Sequence, residues 1–213
     1  EADDMIAVWI QDNPDDEHMI VSTDSDFYQL MAPNVQQYNG TLDQLVSLEG
    51  FVDAKTGKRV IDKKTKAEKA LPDPEYILFE KCVRGDSADN VFSAYPGART
   101  KGSKNKTGIL EAYEDRNTSG YNYNNFMLQR WVDHNGDEQR VRDCFERNKI
   151  LIDLTLQPDD IKALVKERIA EQTQTEQMRN VGIHFMKFCA KHNLMRMSEN
   201  PNNYTAMLNG PAR

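Results

Sequence analysis

The chain has 213 residues, enough for one large domain or one domain with a helical appendage. Hydrophobic residues make up 38% and charged residues 29%, which suits a globular protein at the polar end of the range and leaves no apolar run long enough to span a bilayer. The net charge of −7 conceals an asymmetry: twelve acids and no Lys or Arg precede Lys55, so residues 1–54 carry −12 and the remainder +5.

Asp3 to Gln11 is expected as a helix, with apolar Met5, Ile6, Val8, Trp9 and Ile10 behind acids at the favourable end of the dipole. "MIVST", Met19 to Thr23, reads as a short buried strand, and "FYQLMA" as one or two helical turns. "NVQQY", Asn34 to Tyr38, gives a second strand, so the opening has the rhythm of an α/β sheet. Thr41 to Ala70 is expected as a β-hairpin or a mobile loop. Pro74 to Val83 is expected as a helix with Pro in its first turn, and Gly85 to Ser93 as the start of another. A long Gly/Lys loop, "YPGARTKGSKNKTG", then leads to a helix over Thr107–Glu114, with Thr107 as its N-cap. Helices are further expected over Tyr123–Val132, Glu138–Asn148, Pro158–Glu171 and Val181–Asn193. Cys82, Cys144 and Cys189 are widely spaced, show no CxxC pattern and are expected as reduced thiols in or near the core, which points to a cytoplasmic location.

Three acid clusters stand out. Glu1, Asp3 and Asp4 open the chain; Asp24 and Asp26 follow the first strand; Asp86 and Asp89 lie in "RGDSADN". Each alone is ordinary capping or turn chemistry. Together they suggest a site, because acids at the end of an α/β sheet lie where ligands usually bind. Asp86 and Asp89, three apart, are expected on one helix face. Carboxylates gathered this way repel by about 1–4 kcal/mol per close pair, and a hard cation removes that repulsion. With no His or Cys in the set, Mg²⁺ or Mn²⁺ is favoured over Zn²⁺. Seven acids suit two ions about 4 Å apart, an arrangement that hydrolyses phosphodiesters.

The ordered set "EADD", "STDSDF" and "GDSADN" resembles the 5′-nuclease (flap endonuclease) superfamily, over most of Glu1 to about Leu164. The resemblance implies an α/β fold: a partial parallel sheet flanked by helices, then a helical region containing a helix–three-turn–helix element at about 85–115. Residues 1–80 would be the C-terminal half of the metal-binding core and 81–213 the DNA-binding region. It implies an Mg²⁺- or Mn²⁺-dependent 5′→3′ exonuclease or flap endonuclease that uses water as nucleophile, of the kind that removes RNA primers in phage-type replication. Glu1 and Asp3 would hold a first ion with Asp4 close by. Asp24 and Asp26 would hold the second, completed by Asp86 and Asp89. Arg99, Lys101, Lys104, Lys106 and Thr107 would contact phosphate through charge and loop amides. The family often binds K⁺ in this element; its usual Gly-Ile-Gly hairpin is absent, and "AYPGARTKGSKNKTG" takes its place. In the family "EADD" lies midway along the nuclease domain, so the chain is expected to be a C-terminal fragment or split subunit. It would be weakly active or inactive until the N-terminal segment is added in trans. The expected substrate is DNA or RNA/DNA with a 5′ flap or nick. A single-strand-binding protein or sliding clamp is a further partner by analogy; no membrane is expected.

Two other readings remain open. A branched-DNA-binding module would keep the Lys-rich loop and make no use of the acids. A PIN-type ribonuclease or another metal-dependent phosphohydrolase would need the acids and not the loop. None of His18, His134, His184 or His192 suggests a nucleophile. The aromatic run "YNYNNFMLQRW" fits the buried face of a helix better than a base-stacking platform.

Overall fold

Helix α1 (Ala2–Asp12) places Asp3 and Asp4 in its first turn and buries Ala7 and Val8. The computed structural model describes residues 2–104, 106–173 and 180–208, and the chain divides into two compact units, Glu1–Val165 and Lys166–Arg213. Among the described residues no helix is long and apolar enough to cross a membrane.

In the first unit the sheet has the order β1-β2-β3-β4: His18–Val21, Val35–Asn39, Gln44–Ser47 and Gly50–Asp53. β1 and β2 are parallel, with Ile20 opposite Gln37, and are joined through a 3₁₀ turn over Ser25–Leu30. β2, β3 and β4 are antiparallel, so the α/β class holds with a mixed sheet rather than a purely parallel one. The hairpin reading of Thr41–Ala70 is borne out. Beyond β4 the chain forms further bridges, Val52 to Arg59 and Ile61 to Glu68, around two similar turns. In each turn an Asp carboxylate, Asp53 or Asp62, accepts from the backbone N–H and hydroxyl of a Thr three residues on.

The rest of the unit is helical apart from one short hairpin. α2 (Pro74–Arg84) starts with Asp73 as N-cap and Pro74 in its first turn, α3 (Ile109–Glu114), α4 (Tyr121–Met127) and α5 (Val141–Ile152) follow, and α6 (Asp159–Thr173) begins in this unit and ends in the second. Three expectations need correction. Gly85–Ser93 is not helical: Gly85 takes φ +75°, and Asp86 and Val91 exchange two backbone hydrogen bonds in a tight loop. A Cβ at Gly85 would lie 2.3 Å from the Val91 carbonyl oxygen, so the turn needs glycine. Gly108, not Thr107, caps α3, because Glu111 reaches back to the Gly108 N–H. Arg130–Val132 is strand β5, paired with β6 (Glu138–Arg140) across a turn in which Asp133 accepts from the N–H groups of Asn135 and Asp137. That turn chemistry overrides the helix-like aromatic spacing.

Two apolar clusters form the core of the unit. Ala7, Ile20, Phe27, Leu30, Met31 and Val35 pack under the sheet. Phe79, Cys82, Val83, Ile109, Phe126, Met127, Val141 and Phe145 pack among the helices. Tyr123 and Trp131 join the second cluster, as the core-packing reading expects, while Tyr121 stays 81% exposed. Polar side chains tie the two halves together. The Gln29 amide donates to the Ile152 carbonyl and accepts from the Leu154 N–H. Asn148, fully buried, donates to the Cys82 and Phe92 carbonyls and so fixes the end of α2 against the loop that follows it. In the second unit α7 (Val181–Lys191), α8 (Met195–Glu199) and α9 (Asn202–Leu208) bury Phe185 and Cys189, and Phe185 stacks on Tyr204.

All three cysteines are free and buried, as expected. Burial pushes the Cys82 thiol up to about 12, with the Asp153 charge adding to the shift. Cys82 is therefore expected to resist iodoacetamide at pH 8 in the native protein and to react on unfolding, read by mass spectrometry. Asn148→Ala leaves the buried Cys82 carbonyl and the part-buried Phe92 carbonyl without their donor and should cost about 1–3 kcal/mol in urea denaturation.

Candidate metal centre and nucleic-acid interface

Asp24 and Asp26 emerge where β1 ends. Asp24 is exposed and turns its carboxylate back on its own chain, accepting from the Asp26 N–H at 2.9 Å as cap of the 3₁₀ turn. Gln37, buried on β2, donates to the Ser22 and Asp24 carbonyls and fastens this turn to the sheet. Asp26, half-buried, is thereby aimed at α2. There the Lys81 ammonium contacts both Asp26 and Asp86, the latter at 2.7 Å. Asp86 also accepts from the Ala88 N–H at 2.9 Å, which shapes the loop holding Asp89.

The result is a group of three acids. Oxygen atoms of Asp26, Asp86 and Asp89 lie within 4.8 Å of one another. The donor set is entirely carboxylate oxygen, which fits a hard divalent ion. It forms without the shared helix face expected for Asp86 and Asp89; a bridged loop brings them together instead. Among the described residues Asp3, Asp4 and Asp24 are not part of this group. Asp3 and Asp4 sit in the first turn of α1, where Asp4 accepts from the Gln157 amide at 3.2 Å. Glu1 lies outside the described residues.

The Lys81 charge controls the electrostatics of the group. Burial opposes the ammonium, but the hydrogen bonds and charges of Asp26 and Asp86 outweigh it and hold the Lys81 pKa above the usual lysine range. The Lys81 hydrogen bond in turn holds Asp86 below the usual carboxylate range, aided by the Ala88 N–H. Sequence reasoning missed Lys81. Its signal is faint: one lysine in the last turn of a helix, before a glycine and an acid.

The second candidate surface is the loop between α2 and α3. Glu111 accepts from the N–H groups of Gly102 and Gly108 and closes the loop on the helix start. Arg84 donates to the Thr100 hydroxyl at 2.7 Å and anchors the other end. Lys104, Lys106 and Thr107 line a cavity of about 490 Å³ with Tyr121, Asn122 and Asn125. Arg99, Lys106 and Thr107 line another of about 300 Å³. Arg99, Lys101, Lys104 and Lys106 are exposed; Lys101 lines neither cavity. The first amides of α3 are already engaged within the loop. The Ile109 and Leu110 N–H groups donate to the Arg99 and Thr100 carbonyls, so this surface offers side-chain cations and hydroxyl or amide groups instead.

Comparison with known proteins follows from these motifs. No protein-family model matches the chain. Over 120 residues, 55% of its length, it is 31% identical to part of DNA polymerase I of Rhizobium leguminosarum, of which it spans 10%. Solved structures of bacteriophage T5 proteins overlap it at low scores. A mutant 5′-exonuclease is 19% identical, with a TM-score of 0.45 over 80% of this chain and 65% of that one. The D15 protein co-crystallised with metal ions is 18% identical, with a TM-score of 0.46 over 80% and 60%. The D15 flap endonuclease in a pseudo-enzyme–product complex with DNA and metal ions is 17% identical, with a TM-score of 0.47 over 82% and 60%. This chain spans less than two thirds of each of these relatives.

The pKa directions around Lys81 fix a pH dependence. Asp86 is lowered, so its contribution to stability is present above the unfolded carboxylate range and lost as pH falls below about 4. Lys81 is raised, so its contribution is present below about pH 10 and lost as pH climbs through its folded value. Asp86→Asn should flatten the acid limb of the stability–pH curve, measured by thermal denaturation from pH 3 to 7. An unchanged acid limb would remove the ion pair from the account.

Proposed function

We propose that the chain carries the metal-binding acids and the phosphate-contacting loop of a structure-specific 5′-nuclease, acting on DNA or RNA/DNA with a 5′ flap or nick. The observation that carries this reading is the convergence of Asp26, Asp86 and Asp89, from separate parts of the sequence, to within 4.8 Å. Asp26, Asp86 and Asp89 would hold a divalent ion, Mg²⁺ or Mn²⁺, with Asp24 orienting Asp26. Glu1, Asp3 and Asp4 would serve a second ion. Such an ion supplies charge stabilisation at a phosphoryl oxygen and eases the ionisation of water. The residues of the chain do the positioning. Gln37 and Asn148 fasten the two acidic turns, and Lys104, Lys106, Thr107, Arg99 and Lys101 hold the nucleic-acid backbone.

A nuclease segment supplied in trans is part of the proposal. β1 is an edge strand of the sheet. Its Met19 and Val21 are 50% and 74% exposed, and Met5 and Trp9 of α1 are also uncovered. This uncovered apolar surface is where such a segment would pack. Primer removal in phage-type replication, in the cytoplasm of a host cell, is the biological setting we infer, with a single-strand-binding protein or clamp as an associated partner.

A branched-DNA-binding module without catalysis is favoured by one observation: Lys81 pairs with both Asp26 and Asp86 and offsets part of their charge. Two measurements separate the readings. On a 5′-flap DNA with Mg²⁺, Asp26→Asn with Asp86→Asn should abolish cleavage, by at least about a hundredfold, and leave DNA affinity intact. Cleavage by the double variant at the wild-type rate, or none by wild type with the trans segment added, would sink the nuclease. Lys104→Ala with Lys106→Ala should weaken binding to all sequences and lower the slope of affinity against salt by about one per lysine.

A further inference from the structure

Lys81 is a cation inside a site built from carboxylates. Its ammonium reaches an oxygen of Asp26 and an oxygen of Asp86, and its side chain is only 20% exposed. A divalent ion held by Asp26, Asp86 and Asp89 draws on the same two carboxylates. A dication and an ammonium sharing two carboxylates repel each other with twice the force of two unit charges. The two cations therefore compete for this pair of acids. The lysine stem is flexible, and beside it lies a cavity of about 450 Å³ bounded by Tyr28, Gln29 and Glu80. The ammonium therefore has somewhere to go, and the Glu80 carboxylate on the cavity wall, paired with Arg84 at 2.8 Å, is an acid it could share there.

We infer that Lys81 is an internal counter-ion that a divalent metal must displace: it latches Asp26 to Asp86 in the metal-free protein and swings into the adjoining cavity when the metal binds. The latch has two consequences. It keeps the two acidic turns assembled when no metal is present, sparing the metal the task of gathering them. It also weakens metal binding, because each binding event first breaks two ion pairs. The inference rests on the reading of Asp26, Asp86 and Asp89 as a divalent-metal site.

Two measurements on the full chain test it. The first titrates Mn²⁺ against wild type and Lys81→Met, reading free Mn²⁺ by electron paramagnetic resonance. Lys81→Met should bind Mn²⁺ about tenfold more tightly, since two competing ion pairs are gone. Asp26→Asn, which removes a ligand, should bind it more weakly than wild type. Equal or weaker Mn²⁺ binding by Lys81→Met overturns the latch. The second measurement needs no variant. Wild type is treated with an amine-acetylating reagent with and without saturating Mg²⁺, and modification of Lys81 is followed by peptide mass spectrometry. Modification should be several-fold faster with Mg²⁺; an unchanged rate overturns the inference even if Lys81→Met fails to fold. If neither wild type nor Lys81→Met retains Mn²⁺, the metal reading falls and the latch with it. If both bind alike, only the latch falls.

Discussion

Like charges brought together in a half-buried place need a counter-charge, and the first unit is arranged around that need. Asp26 comes from the sheet, Asp86 from the loop after α2, and Lys81 of α2 stands between them. Without an intervening cation the two carboxylates would push their turns apart, because partial burial weakens the screening that water provides. With it, the acidic opening of the chain and its basic remainder meet where chemistry is expected. The asymmetry of charge along the sequence thus acquires a spatial meaning.

Holding such a site requires more than the ion pair. Each acidic turn is fastened from behind by a buried amide: Gln37 under the Asp24–Asp26 turn, Asn148 under the loop that begins at Asp86. Neither amide belongs to the apolar clusters by chemistry, and each satisfies buried or part-buried backbone carbonyls beside its turn. Gly85 adds a third constraint, since its positive φ and the nearby Val91 carbonyl leave no room for a side chain. The α2–α3 loop follows the same logic, with Glu111 and Arg84 drawing its ends in while its lysines stay in water.

Much of this frame could be read in the sequence, because it is local. The apolar run at Met19–Val21, the Val35–Tyr38 strand, the Asp73–Pro74 helix start and the Asp-x-x-Thr turns declare themselves over four to six residues. Errors arose where two local signals competed. Asp86 and Asp89 have helical spacing, but Gly85 ends the helix and the loop wins. "RWV" continues an aromatic helix pattern, but the Asp133 turn folds it into a hairpin. The candidate site was legible only in part. The ordered acids suggested convergence, and the structure gathers Asp26, Asp86 and Asp89. Gln37 and Lys81 were invisible, because a buried amide or a bridging ammonium gains its role from partners far along the chain.

The spacing of the acids carries a meaning that ligand counting alone misses. In "DSD" the first carboxylate is used up in part on its own turn: Asp24 accepts from the Asp26 N–H and so sets the direction of Asp26. In "DSAD" one oxygen of Asp86 accepts from the Ala88 N–H while the other faces Lys81. In both turns a carboxylate oxygen is spent on the backbone, and another is left free to face across the gap between the two halves of the unit. A carboxylate that also shapes its loop cannot be moved without moving its neighbour. Replacing Asp24 or Asp86 by a residue of equal charge but longer reach, such as Glu, would keep the charge and lose the turn. The aim of these acids, more than their number, is therefore what the sequence has to preserve.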